Sequence, residues 1–519
     1  MIENAATAIF LGKPDDWQNI YTGGIVQADS AIFRNNKRDI AFLKYKNFNP
    51  QNPLQKRGNL SFFRKTRFET TANLNDGSFP SNHVTMWNVD GVRFYGCTFE
   101  NTNTNVTSLS QLGNGIYTED ANFIVSGCDW KINCTFGFCC GYAPNIFRNL
   151  NTGIWAKRVA GVSYNYNIDK NNFINCLYSI NNEGVDNAII TRNNLTIGKP
   201  RFAAWWTTGI NFNTGTGYRI EENTITRDSL PNTMSIGTWL TSTGMNNNQV
   251  YKNSFTNITL SNYAYQRNRG LDLSTGLYSG LAYLCNTHNA SGTNDIYIYG
   301  DDPVNHGIRQ YQGKLNNTNN SVTAPAGNVF TRSGANSESD IANVNTPNIT
   351  YFYYGPDSLS NAQYPFYVTP NRVTRVELQV ENTCKSSFTL GGGFGKNGTV
   401  TELEINNGAL SNEVKQQLLA DYQTYNQLLN QYKGLYNSLI DGGNTAVMKQ
   451  DIENSGTSEI WQLRQKLLGE SPYLSKEVLK ESSDKTNVLP DAVIYEIFAA
   501  NPDGIKDEKL MKYLSEKVK

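Results

Sequence analysis

The chain has 519 residues, 39% hydrophobic and 12% aromatic, with only 17% charged and 43 glycines against 16 prolines. That is too apolar for a disordered polymer. With 45 Lys+Arg balancing 45 Asp+Glu and no basic stripe, nucleic acid and anionic membranes are poor candidates as partners.

No run of about 18 apolar residues is present to span a bilayer, and the N-terminus lacks the charged-then-apolar pattern of a signal peptide. Three histidines and eight cysteines without a CxxC pair argue against a zinc site. The cysteines, Cys139 and Cys140 adjacent among them, are expected to form no disulfide framework. No metal site is predicted.

Short extended segments begin almost at the first residue: Gly24-Ile25-Val26, Ala31-Ile32-Phe33 and Ile40-Ala41-Phe42. No polar or helical cap precedes them, as expected of a piece of something longer. Further strands are predicted at Gly115–Thr118, Asn122–Val125, Gly153–Ala156, Ala188–Thr191, Gly209–Phe212, Tyr218–Ile220 and Gln249–Tyr251. They are short, β-branched or aromatic, and separated by Asn, Gly, Asp and Ser turns.

Six times an asparagine is followed two residues later by a large side chain: Asn171/Phe173, Asn193/Leu195, Asn223/Ile225, Asn253/Phe255, Asn286/His288 and Asn328/Phe330. The asparagines are spaced by 22, 30, 30, 33 and 42 residues, the irregular period of a coil that grows by insertions in its loops. Upstream the same slot holds cysteine, in Gly96-Cys97-Thr98-Phe99 and Gly127-Cys128-Asp129-Trp130, with 128−97=31.

Stacked coils about 4.8 Å apart align such side chains in a row. An inward asparagine there passes amide hydrogen bonds to its neighbours above and below, an asparagine ladder. Asn223 and Asn253 are expected to be buried rungs, and Asn103 an exposed asparagine.

Near residue 345 the pairs stop. Gly391 to Gly398 contains GxGxxG, but no helix opens after it and Asn397 stands where a P-loop needs Ser or Thr, so a linker is expected. Beyond it Leu418, Tyr422, Tyr425, Leu429, Tyr432, Tyr436 and Leu439 form a heptad stripe ended by Asp441-Gly442-Gly443-Asn444. Helices follow over Ile460–Leu468, Ser475–Ser482 with Ser475 as N-cap, Pro490–Ala500 and Asp507–Lys517.

The expected fold is an all-β solenoid, a right-handed parallel β-helix with an asparagine ladder, followed by a small α-helical region. Its parts are the β-helix over 1–344, an irregular β end-piece over 345–390, a Gly-rich linker over 391–406 and an α-helical region over 407–519.

Gly280-Leu281-Ala282-Tyr283-Leu284-Cys285-Asn286-Thr287, Asp295-Ile296-Tyr297-Ile298 and Ala326-Gly327-Asn328-Val329-Phe330 resemble the large secreted right-handed β-helix proteins of the Bacteroidota. The tail Ser471-Pro472-Tyr473-Leu474-Ser475, Leu489-Pro490-Asp491-Ala492 and Ala500-Asn501-Pro502 is similar to the helical segment that follows their β-helix. The resemblance implies a protein like type IX secretion cargo, here ending without the family's C-terminal sorting domain. It implies an extracellular or cell-surface location and transfers no catalytic residue.

Two functions compete, because fold does not decide function. One is a structural, adhesive or glycan- or partner-binding surface protein whose partner is a polysaccharide or another surface protein. The other is a carbohydrate-active enzyme, a polysaccharide lyase or glycoside hydrolase, using one face of the helix. The enzyme reading needs stacked carboxylates and a nearby cation. Glu119 and Asp120 with Lys157 and Arg158 are its candidates, against a reading as solvated turn residues. No cofactor is expected; calcium belongs only to the enzyme reading.

Glu221/Glu222 and Asp301/Asp302 are expected to lack basic partners. His83 and His306 are assigned to polar loops and His288 to the stacked slot. For binding, Trp205 and Trp206 are the candidate patch, with a cap over the open side of the coil core as the alternative.

Overall fold

A computed structural model of the chain describes residues 1–12, 24–44, 47–49, 52–57, 61–127, 143–159, 164–202, 204–228, 233–246, 248–273, 276–289, 292–315, 321–331, 339–358, 360–388, 440–502, 510 and 512–513. Cys128, Cys139, Cys140, the Gly391 to Gly398 linker, the heptad stripe and most of the Asp507–Lys517 helix lie outside them. The chain divides into two compact units, Met1–Asn47 with Arg57–Asn397, and Phe48–Lys56 with Gly398–Lys519.

The first unit is a parallel β-helix. Three long sheets of ten, eleven and nine strands, parallel throughout, receive one strand each from successive coils. One coil supplies Tyr166–Asp169, Asn172–Ile174 and Tyr178–Glu183. The next supplies Ile189–Thr191, Asn194–Ile197 and Trp206–Asn213, each pairing onto its predecessor.

Between the nine- and ten-stranded sheets the chain turns within two residues. The first is left-handed: Lys170, Arg192, Glu222, Lys252 and Cys285 have φ between 53° and 59°, a conformation that costs a non-glycine residue roughly 1–2 kcal/mol. The second is the ladder asparagine, whose hydrogen bonds hold that corner in place. The Asn171 side-chain amide donates to Asn193 Oδ1 (3.0 Å), Asn193 to Asn223 (3.0 Å), Asn223 to Asn253 (2.9 Å), Asn253 to Asn286 (3.2 Å) and Asn286 to Asn328 (3.1 Å). Each backbone N–H along the row donates to the same oxygen.

The ladder extends one rung further than the sequence reading placed it. Asn145 donates to Asn171 Oδ1 (2.7 Å) and accepts from the backbone N–H of Cys97 (2.8 Å). The strand Thr98–Asn101 pairs with Ile146–Arg148, so the rung after Cys97 is Asn145, and 145−97=48 in place of 31. A long insertion after Gly127 hid the match.

The large residue two positions beyond each rung points inward. Phe68, Phe99, Phe147 and Phe173 stack with ring centroids 4.6 to 4.7 Å apart, and His288 lies between Phe255 and Phe330 as assigned. Facing them is a column of small residues on the eleven-stranded sheet, including Gly115, Gly153, Gly209 and Gly237. A Cβ on Gly153 would stand 2.9 Å from the Phe173 ring, and one on Gly237 2.6 Å from Phe255. Glycine there is a packing requirement.

Three expectations are corrected. Asn103 is fully buried and donates to Asn73 Oδ1 (2.8 Å). His83 lies in the strand Asn82–Trp87, buried, with Nδ1 2.6 Å from Asp39 Oδ2; the inward alternation of that strand outweighs its polar neighbours. The cysteines do form a disulfide, Cys285–Cys384, across 99 residues.

Regular strands also persist past 345. Ile349–Tyr354 pairs in parallel with Tyr311–Leu315 and with Val373–Leu378. After them the chain returns along the outer edge of the ladder corner. Cys384 is bonded to Cys285, its carbonyl accepts from Lys252 Nζ (2.6 Å), Ser387 N–H donates to Glu222 (3.2 Å), and the Phe388 ring lies 3.7 Å from the Arg192 guanidinium.

The second unit contains helices α1 (Thr445–Asn454), α2 (Ile460–Gly469), α3 (Lys476–Asp484) and α4 (Asp491–Ala500). Its own core includes Ile452, Leu467, Val478, Leu479 and Ile497. Ser475 caps α3, accepting from Val478 N–H (3.2 Å), as expected. Asn444, read as part of a helix end, caps the start of α1 by accepting from Val447 N–H (3.1 Å).

Candidate functional site

Strand alternation divides the eleven-stranded sheet into inward residues and an outer face. Parallel pairing without slippage then aligns the outer residues of successive coils into rows. The first row reads Tyr117, Trp155, Asn181, Asn211, Trp239, Tyr263, Tyr297. The second, two positions on, reads Glu119, Lys157, Glu183, Asn213, Thr241, Tyr265, Tyr299.

The aromatic members touch. Tyr117 and Trp155 meet edge to face at 5.2 Å, Trp239 stacks on Tyr263 at 5.4 Å, Tyr263 meets Tyr297 at 5.2 Å, and Tyr265 stacks on Tyr299 at 5.9 Å. Between the two aromatic stretches the row carries amides, with Asn211 Nδ2 donating to Asn181 Oδ1 (2.7 Å). Burial, reinforced by neighbouring phenols, pushes the Tyr263 and Tyr297 hydroxyls up from their ordinary range, so both stay neutral donors and acceptors.

Trp206 joins this face and Trp205 does not cap the core. Trp206 is 36% exposed, lies edge-on to Trp239 at 6.1 Å and donates its indole N–H to Tyr178 Oη (3.2 Å). Trp205 is 87% exposed.

The four catalytic candidates come together on adjacent coils, with Glu119 directly in register with Lys157. Their charged groups are bonded to other residues. Lys157 Nζ lies 3.9 Å from Glu183, Arg158 is bound to Asp186, Glu119 accepts from the Tyr117 hydroxyl, and Asp120 accepts the backbone N–H of Val159 (2.9 Å). Asp120 occupies a left-handed corner, φ 50°. Each acidic pair also has a basic partner: Glu221 is bound by Arg219 (2.7 Å), and Asp301 lies 2.8 Å from His306 Nδ1. Among the described residues no group of three or more His, Cys, Asp or Glu is arranged to hold a metal.

Sequence reasoning missed Trp155, Trp239, Tyr263 and Tyr297. A signal existed: counted from the ladder, 155−145, 181−171 and 263−253 are each 10, but insertions lengthen other coils.

The fold defines a parallel β-helix with a small helical unit. No protein-family model, curated protein or solved structure matches the chain. No described helix is long and apolar enough to cross a membrane.

Proposed function

We propose that this is an extracellular or cell-surface β-helix protein that binds a glycan or protein partner through the outer face of its eleven-stranded sheet. One observation carries the reading: the axial row of aromatic and amide side chains from Tyr117 to Tyr297, partly exposed at every position but Asn181, repeated at coil spacing and outside the hydrophobic core. Side chains of this kind supply large apolar faces with polar handles, as recognition surfaces require. The Cys285–Cys384 disulfide supports an oxidising, extracellular setting.

The test is a glycan array and a surface-protein array probed with the whole chain and with Trp239→Ala/Tyr263→Ala. Specific signal lost in the double variant supports the reading; an unchanged pattern refutes it.

A hydrolase or lyase is the second reading, favoured by Glu119, Lys157 and Glu183 on three successive coils beside the same row. Two coil steps place Glu119 and Glu183 roughly 10 Å apart along the axis, at the edge of the carboxylate separation of inverting glycosidases. Product release abolished by both Glu119→Gln and Glu183→Gln would establish it.

A further inference from the structure

The outer rows say more about the ligand than that it is bound. From Tyr117 to Tyr297 the first row crosses seven coils, six steps of about 4.8 Å, or about 29 Å in all. A ligand meeting several of its rings must itself be long and must run with the solenoid axis, because one crossing the strands would meet a single coil. The ring spacing is close to the length of one sugar unit in an extended chain, so consecutive units would face consecutive coils.

Charge narrows the class. The first row has no ionisable group other than phenols kept neutral by burial and their neighbours. In the second row the charges are confined to Glu119, Lys157 and Glu183, which sum to −1, and beyond Glu183 that row too is uncharged. Such a surface offers a polyanion one cation, Lys157, which already lies 3.9 Å from Glu183, and its net negative charge repels it at that end. What it offers is ring faces, neutral phenols and the hydrogen-bonded amides of Asn181 and Asn211, which suit a molecule with apolar ring faces and peripheral hydroxyls.

Resting on the binding role proposed above, we infer that the ligand is a linear, uncharged polysaccharide lying parallel to the solenoid axis on the row from Tyr117 to Tyr297, with Asn211, held by the buried Asn181, reading its hydroxyls at the centre.

The experiment is calorimetric titration of the whole chain with gluco-, manno- and xylo-oligosaccharides from disaccharide to octasaccharide, and with oligogalacturonates of the same lengths at two salt concentrations. For at least one neutral series, affinity should rise at least about tenfold from disaccharide to hexasaccharide, a gain of about 1.4 kcal/mol, and be insensitive to salt. Trp239→Ala and Asn211→Ala should each weaken the hexasaccharide about tenfold. Trp239→Phe, which keeps a ring, should retain most of the affinity and so separates lost stacking from lost folding. Trp461→Ala, an exposed tryptophan of the helical unit, should change nothing.

Preference for the galacturonates, weakened by salt, would overturn the assignment while leaving the binding role in place. So would equal affinity for disaccharide and octasaccharide. Silence toward every sugar, neutral or acidic, would overturn this inference together with the glycan half of the proposed function.

Discussion

Removing one rung of the ladder tests whether the row or the individual asparagines stabilise the corner. Asn223 makes four side-chain hydrogen bonds: it accepts from Asn193 N–H and Asn193 Nδ2 (both 3.0 Å) and donates to the Ile190 carbonyl and Asn253 Oδ1 (both 2.9 Å). Asn223→Ala leaves the buried Asn193 backbone N–H without an acceptor, and an unmet buried donor costs about 1–3 kcal/mol. The Asn193 amide keeps its bond to Ile168 O (2.9 Å), so it adds less. The total comes to about 2–4 kcal/mol. Asn223→Asp is the sharper perturbation. It preserves shape and the acceptor but turns the donor into an oxygen facing Ile190 O and Asn253 Oδ1, so it should cost at least as much as alanine. Asn194→Ala, next in sequence to the neighbouring rung Asn193 but exposed, with one long bond to Asn172 (3.2 Å), should stay within about 0.5 kcal/mol of the parent. Urea unfolding followed by circular dichroism reads all three, the midpoint moving at constant slope. If Asn223→Asp unfolded with the parent, the amide relay would not be what holds the corner.

Three further outcomes follow from packing, burial and the cross-link. Gly237→Ala should destabilise by about 1–3 kcal/mol, since its Cβ would fall 2.4 Å from Ser261 O and 2.6 Å from the Phe255 ring; a neutral result in urea unfolding would refute the small-opposite-large packing. Burial holds the His288 imidazole below its usual range, with Asp295 opposing. Its unfolded form therefore takes a proton first, and stability attributable to His288 is complete above about pH 6.5 and falls as pH drops below it. Melting temperatures from pH 8 to 5 should show a shallower acid loss in His288→Phe, and identical slopes would refute this. Cys384→Ser opens a 99-residue link, worth up to about 4.7 kcal/mol in the chain-entropy model, and should raise proteolysis and amide exchange over residues 382–388; unchanged protection would mean that the Lys252, Glu222 and Arg192 contacts hold this segment unaided.

What could be read in advance was what local chemistry repeats. Each ladder asparagine from Asn171 to Asn328 follows a left-handed residue and is followed two positions on by an inward large one, so Asn-x-Phe survives loop insertions of any length. The cap at Ser475 is equally local. The outer rows depend on register instead, and register emerges only when every coil is measured from its ladder rung. Trp239 lies 16 residues beyond Asn223 and Asn211 lies 18 beyond Asn193, while Tyr263 lies 10 beyond Asn253. No window along the sequence shows them as neighbours.

The same reason explains why Glu119 and Lys157 could be placed on neighbouring coils from the sequence while their bonding partners could not. Their strands are adjacent, but which charge meets which is decided by side chains one coil further on, Glu183 and Asp186. The missed disulfide belongs here too: Cys384 reaches Cys285 only because the chain folds back along the corner. In a solenoid the ladder is encoded by each coil separately and the binding face by all of them jointly. Insertions that leave the ladder untouched can therefore change which residues share a row. If the outer face binds as proposed, lengthening the loop before Trp206 should leave stability nearly unchanged. Shifting Trp206–Asn213 by a two-residue deletion should break the Asn211 link between the two aromatic stretches and abolish binding. Binding that survived the shift would mean that recognition does not use the row.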